Sequence, residues 1–100
     1  ESVIVAYEPV WAISGGGGHP DTPSDMHKAA LYIRKILSDI YGQESARKIL
    51  ILYGGSVDSK NAVSFIAETN NEVNGLLVGR DSLAPDFTKV IELLDQYARQ

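Results

Sequence analysis

The sequence predicts an α/β fold of three consecutive parallel strand–helix units. Three observations carry that prediction. There are three short apolar runs, Val3-Ile4-Val5-Ala6, Ile49-Leu50-Ile51-Leu52-Tyr53 and Leu76-Leu77-Val78; each is followed by a loop bearing glycine or serine; and a helical apolar pattern follows each loop. Unbroken apolar runs, lacking the polar alternation of a half-exposed strand, suggest strands covered on both faces, as in parallel sheets. Strand then helix, repeated along the chain, implies right-handed βα units. These units fall at about 3–42, 49–70 and 75–99 of one domain spanning 1–100.

The first strand leads into a loop at about 9–21 that carries Ser14-Gly15-Gly16-Gly17-Gly18. Composition alone reads as a flexible linker, but a linker joins two packed units and only one strand precedes it, so a mobile lid over a site fits better. The helix after it shows apolar Ala29, Ala30, Ile33, Leu37 and Ile40, with Lys28, Lys35 and Asp39 opposite. Thr22 suits its N-cap, Pro23 its first turn and Gly42 its exit. A short helical turn is expected at Gln43 to Lys48. The second unit's helix starts near Asp58 or Ser59 and buries Ala62, Val63, Phe65 and Ile66. The third starts around Pro85, with Phe87, Val90, Ile91, Leu94 and Tyr97 on one stripe.

Composition narrows the partners. With 100 residues, 44% apolar and 22% charged, the chain reads as one soluble globular domain. A net charge of −4 and the lack of a Lys or Arg run argue against nucleic acid and acidic membrane surfaces. With no cysteine, disulfides, thiolate nucleophiles and Cys-based metal sites are excluded, and redox chemistry does not fix a compartment; a cytoplasmic location is the default. The apolar runs fall far short of the roughly 20 residues that span a bilayer. Glu1-Ser2-Val3 lacks the basic start of a signal peptide, and without an initial Met the chain is expected to be a processed or cut product.

Glu8 follows the first strand, at the end from which parallel α/β proteins project functional side chains. For a lone glutamate the bland reading, a solvated strand-end carboxylate, is the better one. Its neighbours change the balance. Pro9 restricts Glu8 and aims the carboxylate, and Trp11 gives a large apolar anchor at the start of a glycine-rich loop, as a rigid-hinged lid requires. Tyr53-Gly54-Gly55-Ser56-Val57 follows the second strand. Its glycines let backbone N–H groups approach an anion, and Ser56 adds a hydroxyl, although a tight turn alone would also explain the pair. Gly79-Arg80-Asp81-Ser82-Leu83 follows the third strand and can open a helical turn facing a phosphate, a weak signal by itself. His19, Asp21 and His27 read as surface residues, because their spacing matches no zinc motif; no metal or cofactor is expected.

Taken together, the three loops converge on one rim of a parallel barrel, and their residues resemble those of the triosephosphate isomerase family. Ala6 to Ile13 reproduce the family's A-Y-E-P-V-W-A-I, Tyr53 to Val57 its Y-G-G-S-V, and Gly75 to Leu83 resemble G-F-L-V-G-G-A-S-L, in the family's order. Another phosphate-binding βα barrel would share the glycine-rich loops but not the contiguous first segment. The resemblance implies three consecutive units from the C-terminal part of a (β/α)8 barrel, and an activity interconverting dihydroxyacetone phosphate and glyceraldehyde 3-phosphate through an enediolate. It implies Glu8 as base, Pro9, Val10 and Trp11 as lid hinge, Tyr53 as lid latch, and Ser14, Ser56, Gly79 and Arg80 around the substrate phosphate.

Against the family pattern, Ser14 replaces a lid glycine, the lid is about two residues longer, Arg80 replaces the second phosphate-loop glycine, and Asn74 stands for an aspartate that pairs with an arginine such as Arg34. The family's lysine, asparagine and histidine electrophiles belong to an N-terminal portion that these residues do not include. A whole barrel takes about 250 residues. Three units leave open sheet edges, so the expected partners are a triose phosphate and either the N-terminal portion or a second copy of the chain, the parent being a homodimer. The competing expectation is a self-associating, non-catalytic βα module that keeps a phosphate-binding rim.

Overall fold

The computed structural model describes residues 3–9 and 22–100. In chain order they form β1 (Ile4–Tyr7), α1 (Pro23–Tyr41), α2 (Gln43–Lys48), β2 (Leu50–Gly55), α3 (Ala62–Ala67), β3 (Gly75–Val78), a 3-10 turn (Arg80–Leu83) and α4 (Asp86–Ala98). The three strands lie in sequence order, all parallel. Tyr7 is paired with Tyr53, and Gly54 with Leu77, so the strand ends that carry Glu8, Ser56 and Gly79 share one rim.

Local chemistry sets the helix limits. The Thr22 hydroxyl accepts from the Asp25 N–H at 3.0 Å, satisfying a donor left free by the first turn of α1. Gly42, at φ 89°, ends α1 by donating its N–H to the Ser38 carbonyl, a geometry that disfavours any residue with a Cβ. The expected turn at Gln43 to Lys48 is α2. The second unit's helix begins later than expected, at Ala62. Asp58 Oδ1 instead accepts from Lys60 N and Asn61 N in a side-chain turn that delays the helix by one turn. Thr69, fully buried at its exit, donates to the Phe65 carbonyl and accepts from Val73 N, leading the chain through Asn70 and Asn71, both at positive φ, into β3.

All the helices that pack on the sheet cover one face. Ile51 and Tyr53 of β2 point into a core with Met26 and Ala30 of α1, Ala62 and Phe65 of α3 and Val90 of α4, flanked by Tyr7, Leu76 and Val78. Tyr53 stacks on Phe65 with ring centroids 4.0 Å apart and planes 16° from parallel. The alternate residues point the other way: Ile4 is 59% exposed, Leu50 47% and Leu77 44%. The expectation that apolar runs are covered on both faces is therefore met on the helix side only; among the described residues nothing covers the other side. Ile40 and Ile91, expected on buried stripes, are exposed, as are Tyr32 and Ile36, because these face away from β2.

Arg34 of α1 fastens the lower end of the sheet. Its Nε pairs with Glu72 Oε2 at 2.9 Å, Nη1 donates to the Ala46 and Ile49 carbonyls, and Nη2 donates to the Glu72 carbonyl and Asn74 Oδ1. All five guanidinium N–H groups are used. Asn74, standing for the pairing aspartate, accepts a hydrogen bond from Arg34, and the carboxylate comes from Glu72, two residues earlier. Asn74 Oδ1 is shared with the Ile51 N–H, which locks β3 to the start of β2.

Candidate active site

Glu8 leaves β1 on the open face of the sheet, exposed, and its side chain crosses the Cα of Gly54 on the neighbouring strand. A Cβ built on Gly54 would fall 2.6 Å from Glu8 Cγ and 3.1 Å from its carboxyl carbon. Gly54 has an ordinary negative-φ backbone, so the glycine provides room and not a special turn. Pro9 is buried beside Glu8 and anchors the chain where it leaves the sheet. Val10, Trp11 and Ser14 lie outside the described residues, as do His19 and Asp21.

The loop after β2 is built by side chains that replace regular backbone pairing. Asn61 Nδ2 donates to the Ser56 carbonyl at 2.7 Å, and Asn61 Oδ1 accepts from Asp58 N. This holds half-buried Ser56 at the rim, next to the end of β2. Tyr53, by contrast, points to the helix side and is fully buried. The loop expected to meet it is not among the described residues.

After β3, Gly79 opens the 3-10 turn, and its carbonyl accepts from Ser82 N at 3.0 Å and Ser82 Oγ at 2.6 Å. Among the described residues, a Cβ at Gly79 would meet nothing within 4 Å. Arg80 is exposed and is not among the described non-glycine residues with positive φ, which are Asn70 and Asn71. Its side chain therefore costs no backbone strain.

One connection was not visible in the sequence. Asp86, the first residue of α4, reaches back to the loop after β2: its Oδ1 accepts from Ser59 Oγ at 2.6 Å and its Oδ2 from Ser59 N at 2.9 Å. These two bonds tie the β2 loop to the start of α4. The Ser59 donors hold the Asp86 carboxyl below the usual carboxylate range. A Pro-Asp pair at a helix start signals a first-turn acid, but no local signal links it to a serine so far back in the chain.

The arrangement places a carboxylate, a serine and a glycine-flanked turn on one rim of a parallel sheet, where a small anionic substrate can be held beside a base. Among the described residues no group of His, Cys, Asp and Glu is placed to hold a metal ion. No helix among them is long and apolar enough to cross a membrane.

The family model described as triosephosphate isomerase matches residues 1–94. Among curated proteins, the triosephosphate isomerase of Dictyoglomus thermophilum is 47% identical over 85 residues, covering 85% of this chain and 32% of that protein. The Saccharomyces cerevisiae protein of the same name is 46% identical over 90 residues (90% and 35%), and that of Bifidobacterium adolescentis 48% over 92 (91% and 33%). The chain thus spans about a third of the length of these relatives.

Proposed function

The chain belongs to the triosephosphate isomerase family, and on that footing we propose that it is the base-bearing C-terminal part of an enzyme interconverting dihydroxyacetone phosphate and glyceraldehyde 3-phosphate. The family is itself a standard illustration of a glutamate base working with a neutral histidine under a closing lid. The observation that supports this reading best is the seat of Glu8, whose side chain lies over Gly54 on the open face, on the same rim as Ser56 and Gly79. In this reading Glu8 takes a proton from one substrate carbon and returns it to the next. Ser56, with the backbone N–H groups of Gly79 and Arg80 and that of Ser14, holds the phosphate. Pro9, Val10 and Trp11 hinge the lid, and Tyr53 latches it.

The lysine and histidine electrophiles come from the N-terminal portion, so the 100 residues alone are inactive. That portion also covers Ile4, Leu50 and Leu77 and pairs the free edges of β1 and β3. The completed enzyme is a cytoplasmic homodimer. Mixing the chain with the N-terminal part tests this: isomerase activity should appear, and Glu8→Gln should lower it by roughly a hundredfold or more. Full activity in Glu8→Gln would end the assignment of the base.

The exposed inner face favours a second reading, in which the chain covers that face by self-association and retains anion binding without catalysis. Sedimentation of the chain alone separates the two. A folded, inactive oligomer that ignores the N-terminal part supports the second reading; a monomer that is captured by it supports the first.

A further inference from the structure

A second carboxyl lies beside the Ser59–Asp86 connection. Asp81, in the 3-10 turn, is half-buried, and its Oδ2 is shut off from solvent with no donor to meet it among the described residues. A solvent-excluded carboxylate oxygen without a donor is costly, and the cost disappears if that oxygen carries a proton. The acceptor is at hand: Asp86 opens α4 three residues after the 3-10 turn ends, and a hydrogen bond to its carboxyl is among the causes that raise the Asp81 carboxyl. Asp86 cannot be the proton's owner. Both its oxygens already accept from Ser59, which favours the anion there.

We propose that Asp81 holds a proton and donates it to Asp86, so that the turn after β3 and the loop after β2 are joined through one shared proton, and that losing this proton loosens the rim. The charged groups around the pair agree in sign. Asp86 and Asp58 both face Asp81 and disfavour a second negative charge, while Lys89 of α4 supports the charge on Asp86. Burial, the Asp86 hydrogen bond and these charges all push the Asp81 carboxyl up. The proton is released to solvent on titration, and the freed Asp81 then repels Asp86 across the junction.

The consequence for ligands rests on the phosphate reading above: a second carboxylate next to Arg80 opposes a bound dianion. Sulfate is the probe for this arm, since its charge does not change over the range used.

The test compares the full chain with Asp81→Asn, whose amide is shaped like the protonated acid and donates to Asp86 at every pH. Side-chain carboxyl NMR follows Asp81 itself, and hydrogen exchange, corrected for intrinsic pH dependence, follows the Ser59 amide. In the wild type, Asp81 should titrate above the ordinary aspartate range, and Ser59 protection should fall with it as pH rises from about 4 to about 8. In Asp81→Asn protection should stay level. Sulfate affinity should fall roughly fivefold over the same range in the wild type and stay constant in the variant. If Asp81 titrates at or below the ordinary value, or if Ser59 protection in the wild type ignores pH, the shared proton is refuted. If Ser59 behaves as expected and sulfate does not bind, the proton link stands and the phosphate reading fails.

Discussion

The Glu8 side chain rests on the bare Cα of Gly54, with no space between them for a methyl group. Gly54→Ala should therefore move the carboxylate and leave the backbone as it is. The clash falls on Glu8 Cγ, so the exposed side chain must turn about χ1, while Leu77 Cβ lies at a tight contact of 3.4 Å; stability should fall by about 1 kcal/mol. Activity of the reconstituted enzyme should fall by roughly a hundredfold, the usual effect of displacing a reacting group by about an ångström. Thermal unfolding and kcat measured on one preparation check both halves, and an unchanged kcat would show that Glu8 is not held by this contact.

Arg34 offers a test of the lower sheet. Arg34→Ala removes five donors from Glu72, Ala46, Ile49 and Asn74 and should cost about 3 kcal/mol in urea unfolding. Arg34→Lys should recover less than half of that, since an ammonium cannot fork between the helix end and the strand. Glu72→Gln, at a side chain that is 30% exposed, should cost only about 1 kcal/mol.

The stacked pair of Tyr53 and Phe65 fills the centre of the core. Phe65→Ala should lower stability by about 3–5 kcal/mol, a large part of what a domain of this size has, and Phe65→Leu by about 1 kcal/mol. Near-UV circular dichroism should report the loss of the ring pair directly.

The acid limb of the stability curve should belong to Asp86. Its carboxyl is held below the ordinary value of 3.8 by the Ser59 hydroxyl first and the Ser59 N–H second. Stability from these bonds is thus present above that value and is lost as pH falls through the lower folded one. Asp81 has the opposite sign: raised in the fold, it contributes at low pH, and that contribution is lost as pH rises through its folded value. Asp86→Asn should flatten the acid limb, and Ser59→Ala should do so in part. Unfolding midpoints across pH would show whether either variant still tracks the wild type.

Leu50→Gln probes the open face. Leu50 is 47% exposed, so the isolated chain should lose no more than about 0.5 kcal/mol. Association with the N-terminal part should weaken markedly, because a buried amide without a partner would replace a leucine. Affinity by titration, set against the unchanged unfolding midpoint, distinguishes a hidden interface from a merely solvated one.

What the sequence reveals here follows its range of interaction. Thr22, Pro23 and Gly42 act on atoms within a few residues, and they mark the limits of α1 correctly. The apolar runs give all three strands, but Gly54 and Gly55, expected in the loop that follows the second strand, are the last two residues of β2 itself. Asp58 acts locally too, but where a helix start is expected, at Asp58 or Ser59, its side chain makes a turn instead. Ile40 and Ile91 follow helical spacing, but spacing cannot say which neighbour a stripe will meet. The grips of Glu72 on Arg34 and of Asp86 on Ser59 join distant segments and leave no periodic trace.

The simple strand order also bears on how the chain acquires its shape. Each strand pairs only with its successor, but the two closures differ in length: Leu52 meets Gly75 across a shorter segment than the one separating Ile4 from Leu50. Loop-closure entropy rises with the logarithm of length, by about 0.6 kcal/mol per doubling. The β2–β3 pair is therefore the cheaper nucleus, and β1 adds to an edge already formed. The loops after β2 and β3 come first in this order, and the strand that carries Glu8 is the last to dock.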